Sequence, residues 1–175
     1  MFHAAKYGYK LANKIALDNW VDIYKGDLGI ALSDTFTTDS FLETFDKKFA
    51  KLYDGVRHDS GDPVIFAKKV IKHYNKLGID PSSKTIIFSD SLNPEKAESI
   101  AMHPDIKNKI KVSFGIGTNF TNDVGVKPLN MVIKMTSVRF DNNNWVDTIK
   151  LSDDEGKHTG SEKEISIAKY ILKLS

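Results

Sequence analysis

Residues 55 to 63 read GVRHDSGDP and place an arginine, a histidine, two aspartates, a serine, two glycines and a proline in nine positions. A loop that only turns the chain needs glycine, proline and one aspartate. Arg57, His58 and Asp59 are surplus to that need. Either the turn is merely charged, or it forms one wall of a site for an anionic substrate. An arginine near the end of a buried strand requires a partner, because an unpaired guanidinium is costly to desolvate. Arg57 therefore either pairs with Asp34 or Asp90 as scaffold, or offers its fork to a carboxylate or phosphate.

Asp34, Asp59 and Asp90 each close an apolar run, and each has a serine beside it: Ser33, Ser60 and Ser89. Such acids can accept hydrogen bonds from sugar hydroxyls or hold a divalent cation through its waters. The alternative is that each caps the helix that follows. That use is better filled near Asp59 by Asp62, which directly precedes Pro63. SFGIGTN, residues 113 to 119, adds Gly115, Gly117 and Thr118. Glycines let backbone N–H groups approach an anion, and a threonine hydroxyl adds a donor. The stretch lacks the third glycine of a dinucleotide fingerprint and the Gly-Lys-Ser/Thr of a P-loop.

The histidines carry no paired metal spacing, so no metal-ligating residues are assigned. His58 either lines the pocket or orders the turn. His73 and His103 read as surface residues, and His158 falls in a polar loop.

These groups must be held by regular elements. LGIALSD (28–34), GVRHD (55–59), KTIIFSD (84–90) and KVSFGIGT (111–118) read as strands, separated by helical patterns at spacings of roughly 25 to 31 residues. That alternation predicts parallel strands, with right-handed crossovers and helices on both faces of the sheet. Phe41, Phe45, Phe49 and Leu52 predict one face of a first helix. A second helix starts at Pro63, presents Val64, Ala67, Val70, Ile71, Tyr74 and Leu77, and ends at Gly78. Asn93-Pro94 opens a third. Before them, a helix with Ala12, Ile15, Ala16 and Asn19 on one face begins without a capping residue, as in a chain entered partway. NMVIKMTSVRF (130–140) and WVDTIKL (145–151) predict a hairpin, and SEKEISIAKYILKL a terminal helix opened by a Ser161–Glu164 capping box. In a parallel α/β fold the three acids and the glycine pair then meet at the carboxyl ends of the strands.

Bulk composition narrows the classes. The chain has 175 residues, 41% of them hydrophobic and 27% charged, enough for one globular domain with a real core. Its net charge of +2 is too small for a polyanion-binding surface, so no nucleic-acid partner is expected. It has no cysteine, which excludes disulfides and thiolate catalysis and fits a cytoplasmic location. No apolar run approaches the roughly 20 residues that span a bilayer, and no signal peptide is present.

GVRHDSGDP, IIFSDSLN, SFGIGTN, KPLNMVIK, KLSDDEGK and YKGDLGIALSDTFTTDSF together resemble the nicotinate phosphoribosyltransferase family, in order and over essentially the whole chain. The resemblance implies an irregular, TIM-like α/β barrel of parallel strands. This chain would be its C-terminal portion, with βα units over 1–118 and the hairpin, loop and terminal helix over 119–175. It implies transfer of the phosphoribosyl group of phosphoribosyl pyrophosphate to nicotinate, giving nicotinate mononucleotide and pyrophosphate. ATP would be a co-substrate through a phosphohistidine, Mg2+ would accompany phosphoribosyl pyrophosphate, and the full-length enzyme would be a homo-oligomer. By motif, Arg57 and Asp59 resemble residues at the base and ribose end of the pocket. Asp90 resembles the acid that holds ribose hydroxyls. Gly117 and Thr118, shaped by Gly115, resemble the 5′-phosphate cradle, and Asp34 lies beside the pocket. Arg57, Asp59 and Asp34 are thus the catalytic candidates, with His58, Ser60, Asp90, Gly115, Gly117 and Thr118 binding substrate. The family's phosphorylated histidine aligns ahead of Met1, so the chain alone is expected to be inactive. The alternatives are a nicotinamide- or quinolinate-using relative and a non-catalytic, phosphate-binding half-barrel.

Overall fold

The computed structural model describes residues 1–122, 124–127, 129, 131–141 and 144–174. Strands β1 (Ile30–Leu32), β2 (Gly55–His58), β3 (Thr85–Phe88) and β4 (Lys111–Phe114) form one sheet in the order β1-β2-β3-β4. All three pairings are parallel. The expected strand series is therefore present. It forms an open sheet of four and does not close into a barrel among the described residues.

Helices α3 (Thr38–Thr44), α4 (Lys47–Leu52), α5 (Pro63–Lys76) and α6 (Pro94–Met102) fill the crossovers. Val56, Ile86 and Phe88 on the sheet and Phe49, Phe66, Ala67 and Val70 on the helices belong to one buried core. The opposite face carries Leu32, Arg57, Ile87 and Ser113, neighbours across the four strands. Of these, Leu32 is exposed, as are Arg57 and Ser113. The expectation of two covered faces thus holds for one only. Register leaves no room at the start of β2, where a Cβ on Gly55 would lie 1.8 Å from Thr85 O.

The expected helix through Phe41 and Leu52 is two helices. The chain breaks at Phe45, and Asp46 caps α4 by accepting from the N–H groups of Lys48 and Phe49. Phe41, Phe45 and Phe49 are buried as read, whereas Leu52 is exposed. Helix α5 follows the sequence closely: Asp62 caps it, Pro63 occupies its first turn, and Gly78 follows its end at φ 68°. At the N-terminus, Gly8 separates α1 (Phe2–Tyr7) from α2 (Tyr9–Tyr24). Ala12 and Leu17 are buried there, and Asn19, read as part of the apolar face, is exposed.

A short helix α7 (Thr118–Thr121) leads to the hairpin of β5 (Ser137–Arg139) and β6 (Trp145–Asp147). The pairing is antiparallel, as expected, but spans three residues a side. Residues 131–136, part of the expected first hairpin strand, pair with neither described sheet; Asn130, Asn142 and Asn143 of the expected hairpin lie outside the described residues. Helix α8 (Glu162–Leu172) closes the chain and packs on α2 in a second core with Ala12, Phe36, Ile149, Leu151 and Ala168. Only half of its capping box forms. Ser161 Oγ accepts from Glu164 N, while the Glu164 carboxylate accepts from Tyr9 Oη at 2.9 Å, tying α8 to α2.

Candidate functional site

Parallel strands place their carboxyl ends on one side of the sheet, and the three acids follow there. None of them caps a helix. Thr37 caps α3, Asp62 caps α5 and Asn93 caps α6. Two of the serines beside the acids, Ser33 and Ser89, extend the ladder instead. Ser33 donates its N–H and its hydroxyl to Arg57 O; Ser89 donates its N–H to His58 O, and its one hydroxyl proton is placed between His58 O and Asp59 Oδ1.

Arg57 turns back over the end of its own strand. Its Nη2 donates to Asp59 Oδ1 at 2.7 Å and its Nε to Ser89 Oγ at 2.8 Å. It pairs with neither Asp34 nor Asp90, the two partners that the sequence suggested. Three of the five guanidinium N–H donors remain, on a side chain 45% exposed. Burial alone would raise the Asp59 carboxyl. The hydrogen bond and charge of Arg57, the charge of Lys150 and the Ser89 hydroxyl outweigh it and hold Asp59 below the usual carboxylate range.

Two further cations arrive from the loop after the hairpin. Lys150 Nζ stands 3.2 Å from Asp34 Oδ1, at ion-pair distance but outside hydrogen-bond geometry, and 3.3 Å from Asp59 Oδ2. Lys157 Nζ donates to Asp90 Oδ1 at 2.5 Å and to Asp59 O at 3.2 Å. Three carboxylates and three cations are thus matched at one end of the sheet. Sequence reading missed both lysines as site residues. Their signal was the KLSDDEGK motif, in which they bracket an acidic loop.

Of the other expected site residues, Gly115 lies beside the cluster. Its N–H is taken by Phe88 O at 2.8 Å, and a Cβ there would meet Ser89 Cβ at 3.4 Å. Gly117 and Thr118 are exposed one turn further on. Two residues face inward instead. His58 is 3% exposed, with its ring between Phe66 and Phe88, and pairs Nε2 with Gly61 O at 3.2 Å. A carbonyl only accepts, so Nε2 carries a proton, and the buried Nδ1 has no hydrogen-bond partner among the described residues to favour a second one. Burial drives its pKa down against the pull of the Gly61 carbonyl and the surrounding aspartates. Ser60 is 1% exposed; its hydroxyl donates to Asp34 Oδ2 at 2.6 Å and accepts from Asp153 N at 2.9 Å. Both residues order the turn, whose reversal at Gly61 uses φ 80°.

The donor set does not suit a protein-bound magnesium ion. Every strand-end carboxylate already faces an ammonium or guanidinium group, and no cluster of three or more His, Cys, Asp or Glu is placed to hold a metal among the described residues. What the arrangement suits is an anionic sugar: cations for phosphate, and carboxylates that can accept from hydroxyls.

Comparison with known proteins bears on the same point. Residues 1–170 match the nicotinate phosphoribosyltransferase (NAPRTase) family. The chain belongs to that family. It is 59% identical over 175 residues to a nicotinate phosphoribosyltransferase of Chromohalobacter salexigens, covering 100% of this chain and 44% of that one. With the Desulforapulum autotrophicum protein of the same name, identity is 55% over 95% of this chain and 42% of the relative. The chain therefore spans less than half the length of the curated relatives it matches. A crystal structure of the Porphyromonas gingivalis family member superposes with a TM-score of 0.93 at 50% identity, over 98% of this chain and 44% of that one. A putative family member from Saccharomyces cerevisiae gives 0.88 at 38% identity, over 99% and 43%. Among the described residues no helix is long and apolar enough to cross a membrane.

Proposed function

We propose that this chain carries the phosphoribosyl-pyrophosphate end of a cytoplasmic, homo-oligomeric nicotinate phosphoribosyltransferase of pyridine nucleotide biosynthesis. In that reaction the nicotinate ring nitrogen bonds to C1 of the ribose. The C1–oxygen bond breaks, and pyrophosphate departs with the bonding electrons. Positive charge develops on the sugar and negative charge on the leaving group, so catalysis is chiefly positioning and electrostatics. Arg57, Lys150 and Lys157 would take the phosphate oxygens. Asp59 and Asp90 would accept from ribose hydroxyls, Asp34 would hold Lys150, and Gly117 with Thr118, shaped by Gly115, would meet the 5′-phosphate. Mg2+ would enter with phosphoribosyl pyrophosphate as part of that substrate, and ATP hydrolysis would be coupled to the transfer.

The convergence of Lys150 and Lys157 on three strand-end carboxylates is the observation that supports this reading most. The same balance of charge supports a rival, a silent scaffold whose ions satisfy one another. Calorimetric titration of the purified chain with phosphoribosyl pyrophosphate separates the two. Saturable binding that Arg57→Ala removes is expected; no binding by the unaltered chain would leave only the scaffold. In the same preparation no nicotinate mononucleotide should accumulate, and its accumulation would overturn the expected inactivity of the chain alone.

A further inference from the structure

Lys150 and Lys157 sit on a loop closed at its base by the paired main chains of Lys150 and Thr159. Five hydrogen bonds bind that loop to the segment after β1, the first turn of α3 and the turn after β2. Leu151 N donates to Thr35 O at 2.9 Å and Ser152 N to Asp34 O at 3.0 Å. The Asp153 carboxylate then reaches the first turn of α3, accepting from Thr38 N at 2.7 Å and from the Thr38 hydroxyl. Finally, Asp153 N donates to Ser60 Oγ, whose own proton goes to Asp34 Oδ2. The chain from Asp153 through Ser60 thus ends on the carboxylate that Lys150 faces.

We propose that Asp153 is a positioning residue: clamped between Thr38 and Ser60, it sets where the 150–159 loop presents Lys150 and Lys157. Its side chain touches neither lysine, so its effect passes through the backbone. The geometry favours this over a local cap. Thr37 caps α3 by accepting from Ser40 N, and Asp153 takes the separate Thr38 N–H from outside the helix, so its bond ties the loop to α3 and does more than cap it. Ser152, next to Asp153, holds a left-handed φ of 61° while buried, a conformation that needs outside support. A loop so held presents its charges at fixed distances, and loss of fixed placement costs an anion site far more than loss of one surface carboxylate. The ligand-binding consequence rests on the proposed function; the anchoring of the loop does not.

Two readouts on the purified chain keep these apart. Amide hydrogen exchange reports the loop directly. Asp153→Ala should raise exchange at Leu151, Ser152 and Asp153 at least tenfold and leave β2 and β3 unchanged. Thr38→Val removes the hydroxyl partner alone and should raise it less, which keeps the test decisive if Asp153→Ala unfolds. Titration with phosphoribosyl pyrophosphate should show affinity at least tenfold weaker in Asp153→Ala. Its salt dependence should flatten toward that of Lys150→Ala, which general destabilisation would not produce. If the unaltered chain binds nothing, the proposed function fails, and exchange alone decides the positioning role. Unchanged loop exchange in both variants overturns it.

Discussion

Lys150 Nζ sits 3.2 Å from Asp34 Oδ1, on a carboxylate whose side chain is 1% exposed. The pair joins the loop after the hairpin to the end of β1. Removing one partner of a buried pair leaves a charge without compensation, which costs more than the pair contributes. Lys150→Met should therefore destabilise the chain by on the order of 3 kcal/mol in urea unfolding. Asp34→Asn on top of it should recover most of that loss, since Asn still accepts from Ser60 and carries no charge. Equal destabilisation by the single and double variants would show that the charge is not the cause.

His58 predicts a pH dependence of stability. Its pKa is lower in the folded chain than in the unfolded one, because the neutral ring is buried between two phenylalanines. The unfolded state therefore binds more protons between the two values. His58 contributes its stability fully above the unfolded pKa of about 6.5 and loses it as pH falls through that window toward the folded value. Thermal unfolding at pH 7.5 and 5.5 should show a lower midpoint at the acid value. In His58→Gln, which keeps a donor for Gly61 O, the difference should shrink. An unaltered difference would assign it to other groups.

Much of this fold is written in local pattern. IIF and its counterparts are short apolar runs between turn residues, and all four became parallel strands in sequence order. Asp62-Pro63 and Asn93-Pro94 marked helix starts because a cap and its proline act on adjacent residues. Errors arose where a choice depended on distant partners. Phe45 continues the apolar spacing of α3, yet Asp46 can satisfy two N–H groups and restart the helix there. Glu164 suits a capping box until Tyr9, 155 residues away, offers it a hydroxyl. Met131, Val132 and Ile133 have strand-like side chains, but a strand needs a neighbour, and Ile133 is 88% exposed without one in the described sheets. The site divides the same way. Arg57, Asp59 and Asp90 were legible as strand-end polar groups, whereas Lys150 and Lys157 reach them only through the return of the hairpin.

Tyr74 lies in the main core at 1% exposure, edge-on to Phe45, and its hydroxyl has no hydrogen-bond partner among the described residues. Burial raises its pKa far above the usual phenol range, so it is neutral and simply unsatisfied. Removing a buried, unpaired polar group recovers its desolvation cost. Tyr74→Phe should stabilise the chain by about 1 kcal/mol, a rise of roughly 2–4 °C in the unfolding midpoint. A fall instead would mean that the hydroxyl fills space the ring alone leaves empty.

Arg57 offers the sharpest test of geometry against charge. Its Nε and Nη2 are spent on Ser89 and Asp59, and the remaining donors form a planar fork with fixed direction. Lysine would keep the charge but could not hold Asp59 and Ser89 while also presenting two parallel donors. If the fork reads a phosphate, Arg57→Lys should weaken phosphoribosyl pyrophosphate binding by roughly 10- to 100-fold, the loss of about 1.4 to 2.7 kcal/mol. The Asp59 carboxyl would then lose the guanidinium hydrogen bond that helps hold its pKa down, so affinity in the variant should also fall off at a higher pH than in the unaltered chain. Calorimetry across pH 3.5 to 7 measures both effects together. Binding by Arg57→Lys that matches the arginine chain in affinity and pH profile would show that a positive charge alone is enough at this strand end.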